Sequence, residues 1–320
     1  MATNNNGQHA IKKGRKSGGP WRVVFILSLI VLTVCLCALA LIGLSYCQGQ
    51  QKYDSLAKTT GISDISEDAD IRELKVDWDA LKASNPDIVG WVYIPNTVIN
   101  YPIVQASDND YYLGHDFDGD EGWLAEFGTI FLDYRNASDW SDASNFVYGH
   151  HLNDGSMFAS IGEMDSQKRF EECRTVFLLT PQGNYKLRAY SLIHCPGTEA
   201  IVETEFESPE AMASYVQDMI NRSEFDPGNI PAAKEIKKSF AFATCDNTYQ
   251  SIGRYVLFCY VVDKNAEDLS GNVGISANES GEAGGFVNDL EQETRGAGGL
   301  VENTEQDDEN EPDETTQEEG

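Results

Sequence analysis

An uncharged apolar run near the N-terminus constrains this chain more than any other feature. From Val23 to Cys47 the sequence VVFILSLIVLTVCLCALALIGLSYC contains no charged residue. A helix needs about 20 apolar residues to cross the hydrocarbon core of a bilayer, so the run predicts a transmembrane helix over 23–47. The alternative is a cleaved signal peptide, but the apolar part of such peptides spans only about 7–15 residues, and no small-residue cleavage site follows here.

The charges around this run predict how the chain is oriented. Lys and Arg number 23 against 52 Asp and Glu, a formal net charge of −29. Residues 1–22 hold five basic residues and no acid, whereas the flank after Cys47 is poor in positive charge. The positive-inside rule therefore places the N-terminus in the cytoplasm and the remainder outside the membrane. The acidic balance also argues against nucleic-acid binding, which needs concentrated positive charge.

Composition divides the extracytoplasmic part into three segments. Residues 48–70 are polar and become acidic, which predicts a stalk or a membrane-proximal helix. Residues 71–264 contain regularly spaced apolar runs, which predict the folded domain. Residues 265–320 hold seventeen acidic residues with Arg295 as the sole base, and few large apolar side chains. Such a segment buries too little apolar surface to offset the entropy of ordering, so we expect a disordered tail.

The folded domain is expected to be mainly β with added helices. Eight short runs rich in β-branched and aromatic residues are separated by Asn, Gly, Pro and Asp. They predict strands at 88–94, 101–104, 128–134, 145–150, 174–180, 184–194, 239–245 and 254–262. Helical patterns occur at 71–85, 157–164 and 208–222, the last with Ser208 as N-cap and Pro209 in the first turn. Eight short strands that follow one another so closely along the chain predict a closed barrel or a sandwich.

Four cysteines lie in the extracytoplasmic domain, and one has an unusual setting. None of them forms a CxxC pair or shows metal-ligand spacing, so no cysteine metal site is expected. Cys245 ends an apolar strand and precedes polar turn residues in FAFATCDNTY, which predicts an accessible thiol. The alternative is an ordinary buried free cysteine. The sequence leaves open whether disulfides join Cys173, Cys195 and Cys259.

Two further residues could support thiol chemistry. His150 follows the predicted strand NFVYG and opens a loop, a position from which an imidazole can exchange a proton with a departing amine. Arg254 begins the strand after Cys245, so a turn between the two strands would bring its guanidinium near the thiol. There it could stabilise a tetrahedral oxyanion. The alternative is a surface charge at a strand start.

These segments, taken together and in order, resemble the class B sortases, membrane-anchored cysteine transpeptidases of Gram-positive bacteria. The resemblance covers about residues 71–262. It rests on NYPIVQASDNDYYLGHDFDG (100–119), GTIFLDYRN (128–136), NFVYGHHLNDGSMFASI (145–161), ATCDNTY (243–249) and GRYVLFCYVV (253–262). An apolar anchor with a basic cytoplasmic flank agrees with the same family.

The resemblance implies a closed eight-stranded sortase-type β-barrel and a set of site residues. By position, the catalytic residues would be His150, Cys245 and Arg254, while His151 matches a non-catalytic position. Class members often have serine where this chain has Ala243, and the acidic tail lies outside the family pattern. The positions that match peptide-binding sites of the family are Asn100, Val104, Tyr148, Thr244 and Asp246.

The resemblance also implies an activity and partners. The enzyme would cleave a surface protein's sorting signal after Thr and hold the product as a thioacyl-enzyme on Cys245. It would then transfer the product to an amine of a peptidoglycan precursor or a pilin, with no metal or organic cofactor. Two alternatives stay open at this point. The chain could be a surface endopeptidase that uses water as the acceptor, or an anchored β-domain scaffold without catalysis.

Overall fold

The structure of the protein is a computed structural model in which two compact units are distinguished. It describes residues 19–62, 65–119, 128–197, 199–246 and 253–265. For Ser45, Tyr46, Thr59, Cys245 and Asp246 it describes the backbone. One unit ends at Leu56 and the other begins at Ala57. Most of two predicted segments lies outside the described residues: 1–18 of the basic N-terminus 1–22, which is predicted to be cytoplasmic, and 266–320 of the predicted acidic tail 265–320.

The first unit consists of one long helix, α1 (Pro20–Thr60), which continues past the unit boundary. Pro20 stands at its first position, where the missing N–H of proline has no intrahelical partner to lose. The stretch Pro20–Lys58 is long and apolar enough to cross a membrane, and its most apolar window has a mean hydropathy of 3.0. None of that window is buried by the rest of the protein. This helix contains the predicted span 23–47 and fits a membrane anchor.

The second unit is a closed barrel of eight strands, as the resemblance predicts. The order around the barrel is β1-β2-β3-β4-β7-β8-β6-β5, and β5 pairs with β1 to close it. Two neighbouring pairs are parallel, β2 with β3 and β4 with β7, and the other pairs are antiparallel. The strands are β1 (Ile88–Tyr93), β2 (Asn100–Val104), β3 (Ile130–Leu132), β4 (Ser144–Gly149), β5 (Thr175–Thr180), β6 (Gly183–Pro196), β7 (Ser239–Asp246) and β8 (Gly253–Lys264).

The helices of this unit agree only in part with the sequence patterns. Helix α5 (Pro209–Asn221) has the predicted cap, since the Ser208 side chain accepts a hydrogen bond from the Ala211 amide. The pattern at 71–85 overestimates α2 (Trp78–Ser84), because Asp77 caps the helix there by accepting from the Ala80 amide. The pattern at 157–164 yields only the short α3 (Ala159–Gly162).

Helix α4 (Gln167–Cys173) was not predicted, although the sequence holds its start signal. The Ser166 side chain accepts a hydrogen bond from the Arg169 amide, which is an N-cap contact. The helix has only seven residues, and of these Phe170 and Cys173 are buried. A helix this short has almost no periodicity to detect, so packing of these two side chains decides it.

Large aromatic side chains fill the barrel and fix its loops. Trp140 is fully buried, and its indole nitrogen donates to the carbonyl oxygen of Val89 at 2.9 Å. Gly90 allows this approach, because a Cβ there would lie 2.9 Å from the Trp140 ring. Burying side chains of this size contributes about 2–3 kcal/mol each, which makes the barrel a rigid frame for residues at its edges.

Candidate active site

Two parallel strands end at the same edge of the barrel, and a residue that the sequence singles out lies at each end. His150 directly follows β4, and Cys245 is the second-last residue of β7. Strands β4 and β7 pair in parallel, with Gly149 opposite Thr244. The next residues along the two strands are His150 and Cys245. Because paired strands lie about 4.8 Å apart, the backbones of His150 and Cys245 are neighbours at this edge.

The next two strands extend this arrangement into a row. Cys245 of β7 is directly opposite Arg254 of β8, and Arg254 is in turn opposite Cys195 of β6. Arg254 is buried, with only 3% of its surface exposed. We call His150, Cys245, Arg254 and Cys195 the His150 row. Strand order thus brings together four residues that are up to 104 positions apart in the chain.

The other cysteines of the barrel unit are poor nucleophiles. Cys173, Cys195 and Cys259 are free and buried. Burial raises the pKa of Cys195 to about 11, and the nearby Glu199 acts in the same direction while Arg254 opposes it. Burial likewise raises the pKa of Cys173 and of Cys259. These three groups are neutral thiols at neutral pH, and thiolates rather than thiols attack carbonyl carbons.

Two adjacent histidines have different surroundings. His150 is half-buried, and its Nε2 lies 2.8 Å from the carbonyl oxygen of Leu113. His151 pairs through its backbone with Met157, and its ring packs against Gly162. Among the described residues, Nδ1 of His151 is buried without a hydrogen-bond partner. The structure therefore places His150, and not His151, in the row with Cys245.

Comparisons with known proteins agree with this fold. The chain is 31% identical to Sortase B of Listeria monocytogenes over 166 residues, which are 52% of this chain and 65% of that protein. It is 24% identical to Sortase B of Staphylococcus aureus over 180 residues, which are 56% of this chain and 72% of that protein. Sortase B from Bacillus anthracis, in a crystal structure with AAEK1, has a TM-score of 0.58 at 28% identity, covering 68% of this chain and 98% of that chain.

The chain is similar in sequence and in fold to class B sortases. The match spans less than two thirds of the length of the Listeria protein. No protein-family model matches the chain. The family resemblance read from the sequence is confirmed by these relatives and by the barrel itself.

Two of the residues that the resemblance assigns to peptide binding lie beside the His150 row. Tyr148 of β4 is opposite Phe131 of β3 and Ala243 of β7, and Val104 of β2 is opposite Phe131. These four residues form a second row across neighbouring strands. All of them are buried, so the second row is a floor rather than an open surface.

Two more of these residues flank Cys245 itself. Thr244 is 2% exposed, and its hydroxyl has no hydrogen-bond partner among the described residues. Asp246 lies one position past Cys245, with its backbone opposite Gly253. Both positions therefore lie at the barrel edge that holds the His150 row.

Asn100 begins β2, and strand register places this start at the same edge of the barrel as the end of β4, because β3 runs antiparallel to β4 and parallel to β2. Its side-chain oxygen accepts from the indole nitrogen of Trp91 at 2.7 Å, and its amide nitrogen donates to the carbonyl oxygen of Ile62 at 2.7 Å. These contacts give Asn100 a structural role in the barrel unit. Its assignment to peptide binding stays a prediction.

Sequence reasoning missed a buried polar cluster next to the second row. Asp133 follows β3, and its carboxylate accepts a bidentate pair of hydrogen bonds from Arg135 at 2.9 and 2.8 Å. The same carboxylate accepts from the Tyr148 hydroxyl at 2.8 Å and from the Asn109 amide at 3.3 Å. We call these four residues the Asp133 cluster. The sequence pattern that could have indicated this cluster is Asp-x-Arg at residues 133–135, where a strand ends.

The cluster has clear electrostatic consequences. Burial by itself raises the pKa of Asp133, but the hydrogen bonds and charge of Arg135 outweigh it, so the net pKa is below its usual range. Burial raises the pKa of Tyr148 well above its usual value, and the charge of Asp133 adds to this effect. Asp133 is therefore a carboxylate and Tyr148 a neutral hydroxyl at neutral pH.

Metal-binding side chains do not gather in the part of the chain that the structure describes. Across the described ranges, no three His, Cys, Asp or Glu residues lie together in a way that could hold a metal ion. The His150 row combines an imidazole, a thiol position and a guanidinium. Such a set can exchange a proton, attack a carbonyl carbon and stabilise an oxyanion.

Proposed function

We propose that this chain is a sortase-type cysteine transpeptidase with His150, Cys245 and Arg254 as its catalytic residues. The observation that carries the proposal is the parallel pairing of β4 with β7, which makes His150 and Cys245 neighbours, together with the pairing of Cys245 with Arg254. Homology to proteins named Sortase B supports the reaction class.

Each catalytic residue has a definite role in the proposed mechanism. The thiolate of Cys245 attacks the Thr carbonyl carbon of a sorting signal, and the guanidinium of Arg254 stabilises the oxyanion that forms. His150, as an imidazolium, protonates the amine that leaves when the peptide C–N bond breaks. The product is a thioester between the surface protein and Cys245.

A second substrate then releases the enzyme. An amine attacks the thioester, gives its proton to His150 and takes the acyl group, which restores the thiolate. We propose that this amine belongs to a peptidoglycan precursor or to a pilin lysine. The reaction should show ping-pong kinetics, and its steps need neither a metal ion nor an organic cofactor.

The sorting signal is proposed to bind along the edge that holds the His150 row. Thr244 and Asp246 flank the nucleophile, and Tyr148 and Val104 lie in the floor beside it. Val104 and Ala243 are apolar and buried, so they would support the shape of this edge from beneath while an extended peptide binds along it. Asn100 is retained as a candidate with contacts that support a structural role.

The proposed location is the cell membrane of a Gram-positive bacterium. Helix α1 would span the bilayer as a single pass through 23–47, with residues 1–22 in the cytoplasm and the catalytic domain 71–264 outside. The five basic residues before the helix support this orientation. The segment 48–70 would act as a stalk, and 265–320 as a disordered acidic tail.

The test is a product analysis with the full-length protein in detergent micelles. A panel of sorting-signal peptides is incubated with and without an amine acceptor, and the products of wild type and Cys245→Ala are identified by mass spectrometry. Amine-dependent ligation that the variant lacks is the expected result. Cleavage that is unchanged by any amine would favour an endopeptidase, and no acyl-enzyme with any peptide would favour a scaffold.

A further inference from the structure

The ring of His150 is held by a segment far from it in sequence. Its Nε2 lies 2.8 Å from the carbonyl oxygen of Leu113, in a short 3-10 helix (Tyr111–Leu113). A carbonyl oxygen can only accept a hydrogen bond, so this contact is a hydrogen bond only when Nε2 carries a proton. The contact therefore favours one of the two neutral forms of the ring.

The Leu113 carbonyl is itself held in place. The Thr129 amide donates to the Tyr112 carbonyl oxygen at 3.0 Å, and the Thr129 hydroxyl donates to the His115 carbonyl oxygen at 3.0 Å. The hydroxyl of Tyr112 is buried and donates to Asp87 at 2.8 Å. These contacts tie both sides of Leu113 to the barrel, so its carbonyl is an acceptor with a fixed direction.

Gly128 lies against both the His150 ring and the Leu113 carbonyl. Its backbone has a φ of +54°, a conformation that favours glycine. A Cβ at this position would lie 2.8 Å from Cδ2 of His150 and 2.8 Å from the carbonyl oxygens of Leu113 and Tyr112. Any larger residue would displace either the imidazole or the carbonyl that accepts from it.

We propose that Leu113, through its carbonyl, and Gly128 are positioning residues that hold the neutral His150 ring with its proton on Nε2, so that Nδ1 is the nitrogen that exchanges protons with the substrates. The role of that proton rests on the proposed function, whereas its place on the ring does not.

The proton balance of the reaction follows from this arrangement. When the peptide C–N bond breaks, its electron pair goes to the leaving nitrogen, which takes the proton from Nδ1 of the imidazolium. The ring becomes neutral and keeps the Nε2 proton on the Leu113 carbonyl. In the second half of the reaction, the attacking amine returns a proton to Nδ1 as it forms the new amide bond.

The first experiment reads the proton position directly. The full-length protein, labelled with ¹⁵N-histidine in micelles, is studied by NMR at high pH, where imidazole rings are neutral. The signals of His150 are assigned by comparison with His150→Gln. A proton on Nε2 is the expected result. A ring that carries its proton on Nδ1 would overturn the proposal, whatever the protein does to peptides.

The second experiment perturbs the arrangement with a matched control. Gly228 has a φ of +65°, close to that of Gly128, but a Cβ there would come no nearer than 4.0 Å to another residue. Gly128→Ala and Gly228→Ala therefore share the backbone strain, and only the first disturbs His150. For Gly128→Ala we expect changed His150 signals and about 10²-fold slower acyl-enzyme formation, because a displacement near 1 Å can cost that much.

The two proposals can fail separately. Equal acylation rates and unchanged His150 NMR signals in both variants would show that Gly128 does not position His150. An Nε2 proton in a protein that acylates no peptide would contradict the transpeptidase proposal and leave the ring geometry intact. If Gly128→Ala does not fold, the tautomer of the wild-type ring still decides the proposal.

Discussion

The His150 row and the Asp133 cluster lie on neighbouring strands and illustrate two uses of polar residues in one barrel. In the Asp133 cluster, a fully buried carboxylate is satisfied by Arg135, Tyr148 and Asn109. In the row, strand register lines up an imidazole, a thiol position and a guanidinium. A buried network whose polar groups all have hydrogen-bond partners stabilises one particular structure. A row of reactive side chains at an edge can instead act on a bound substrate. We therefore expect changes in the row to alter rates and changes in the cluster to alter stability.

The largest difference is expected between the two adjacent histidines. His150→Gln should slow acyl-enzyme formation about 10²–10⁴-fold, because a positioned acid–base group contributes that much. Its melting temperature should stay close to that of wild type, because glutamine can still donate to the Leu113 carbonyl. Single-turnover mass spectrometry and thermal unfolding measure the two quantities. His151→Gln is the control, and an equal loss of rate in both variants would contradict the placement of His150 in the row.

Arg254→Lys tests whether the guanidinium stabilises developing charge. Lysine keeps the positive charge but loses the planar pair of donors, so acyl-enzyme formation should slow about 10²–10³-fold. Arg188 on β6, whose side chain is 41% exposed, provides the matched control, and Arg188→Lys should leave the rate unchanged. Rates within error of wild type for Arg254→Lys would show that this arginine serves the fold instead.

Asp133→Asn addresses the cluster. The change leaves Arg135 and Tyr148 without their charged acceptor, which should lower the free energy of unfolding by about 2–3 kcal/mol. The value is at the lower end for a buried pair because a third of the Arg135 side chain is exposed to solvent. Urea unfolding measures it, with the exposed Asp110→Asn as control. A larger effect on the acylation rate than on stability would show that the Asp133 cluster supports catalysis at the His150 row.

The dependence of stability on pH should identify the same carboxylate. The pKa of Asp133 is lower in the folded protein than in the unfolded chain, so its contribution is complete above the usual carboxyl range and is lost as pH falls through the folded pKa. The stability difference between wild type and Asp133→Asn should therefore shrink in acid. A difference that stays constant from neutral pH to about pH 2 would exclude this role.

Tyr148→Phe should have the smallest effect, and it tests the boundary between the two regions. The change removes one hydrogen bond to Asp133 and should cost about 1–2 kcal/mol of unfolding free energy. The exposed Tyr134→Phe is the control. A tenfold loss of acylation rate without loss of stability would instead place the Tyr148 hydroxyl on the substrate.

Local patterns accounted for most of the barrel and singled out three of the four residues of the row, His150, Cys245 and Arg254. The eight strands follow from β-branched and aromatic runs between turn residues, and the cap at Ser208 follows from its side chain and Pro209. The pattern at 71–85 overestimated α2, and α4 was missed, because a few buried contacts decide helices this short. Sequence patterns did not indicate Leu113 and Gly128. Their proposed roles depend on a backbone carbonyl and on the absence of a Cβ, which matter only because His150 packs against them in the fold.

The sequence by itself determined the apolar helix, the mainly β class, the sortase resemblance and the three residues proposed for catalysis. These depend on local composition and on motifs that stay readable in one dimension. Only the tertiary structure decided that β4 pairs in parallel with β7, that Asp133 organises a buried cluster, and that Asn100 bonds to Trp91 and Ile62. Strand order and register arise from contacts between distant segments, so side chains meet across the barrel in combinations that local sequence does not encode.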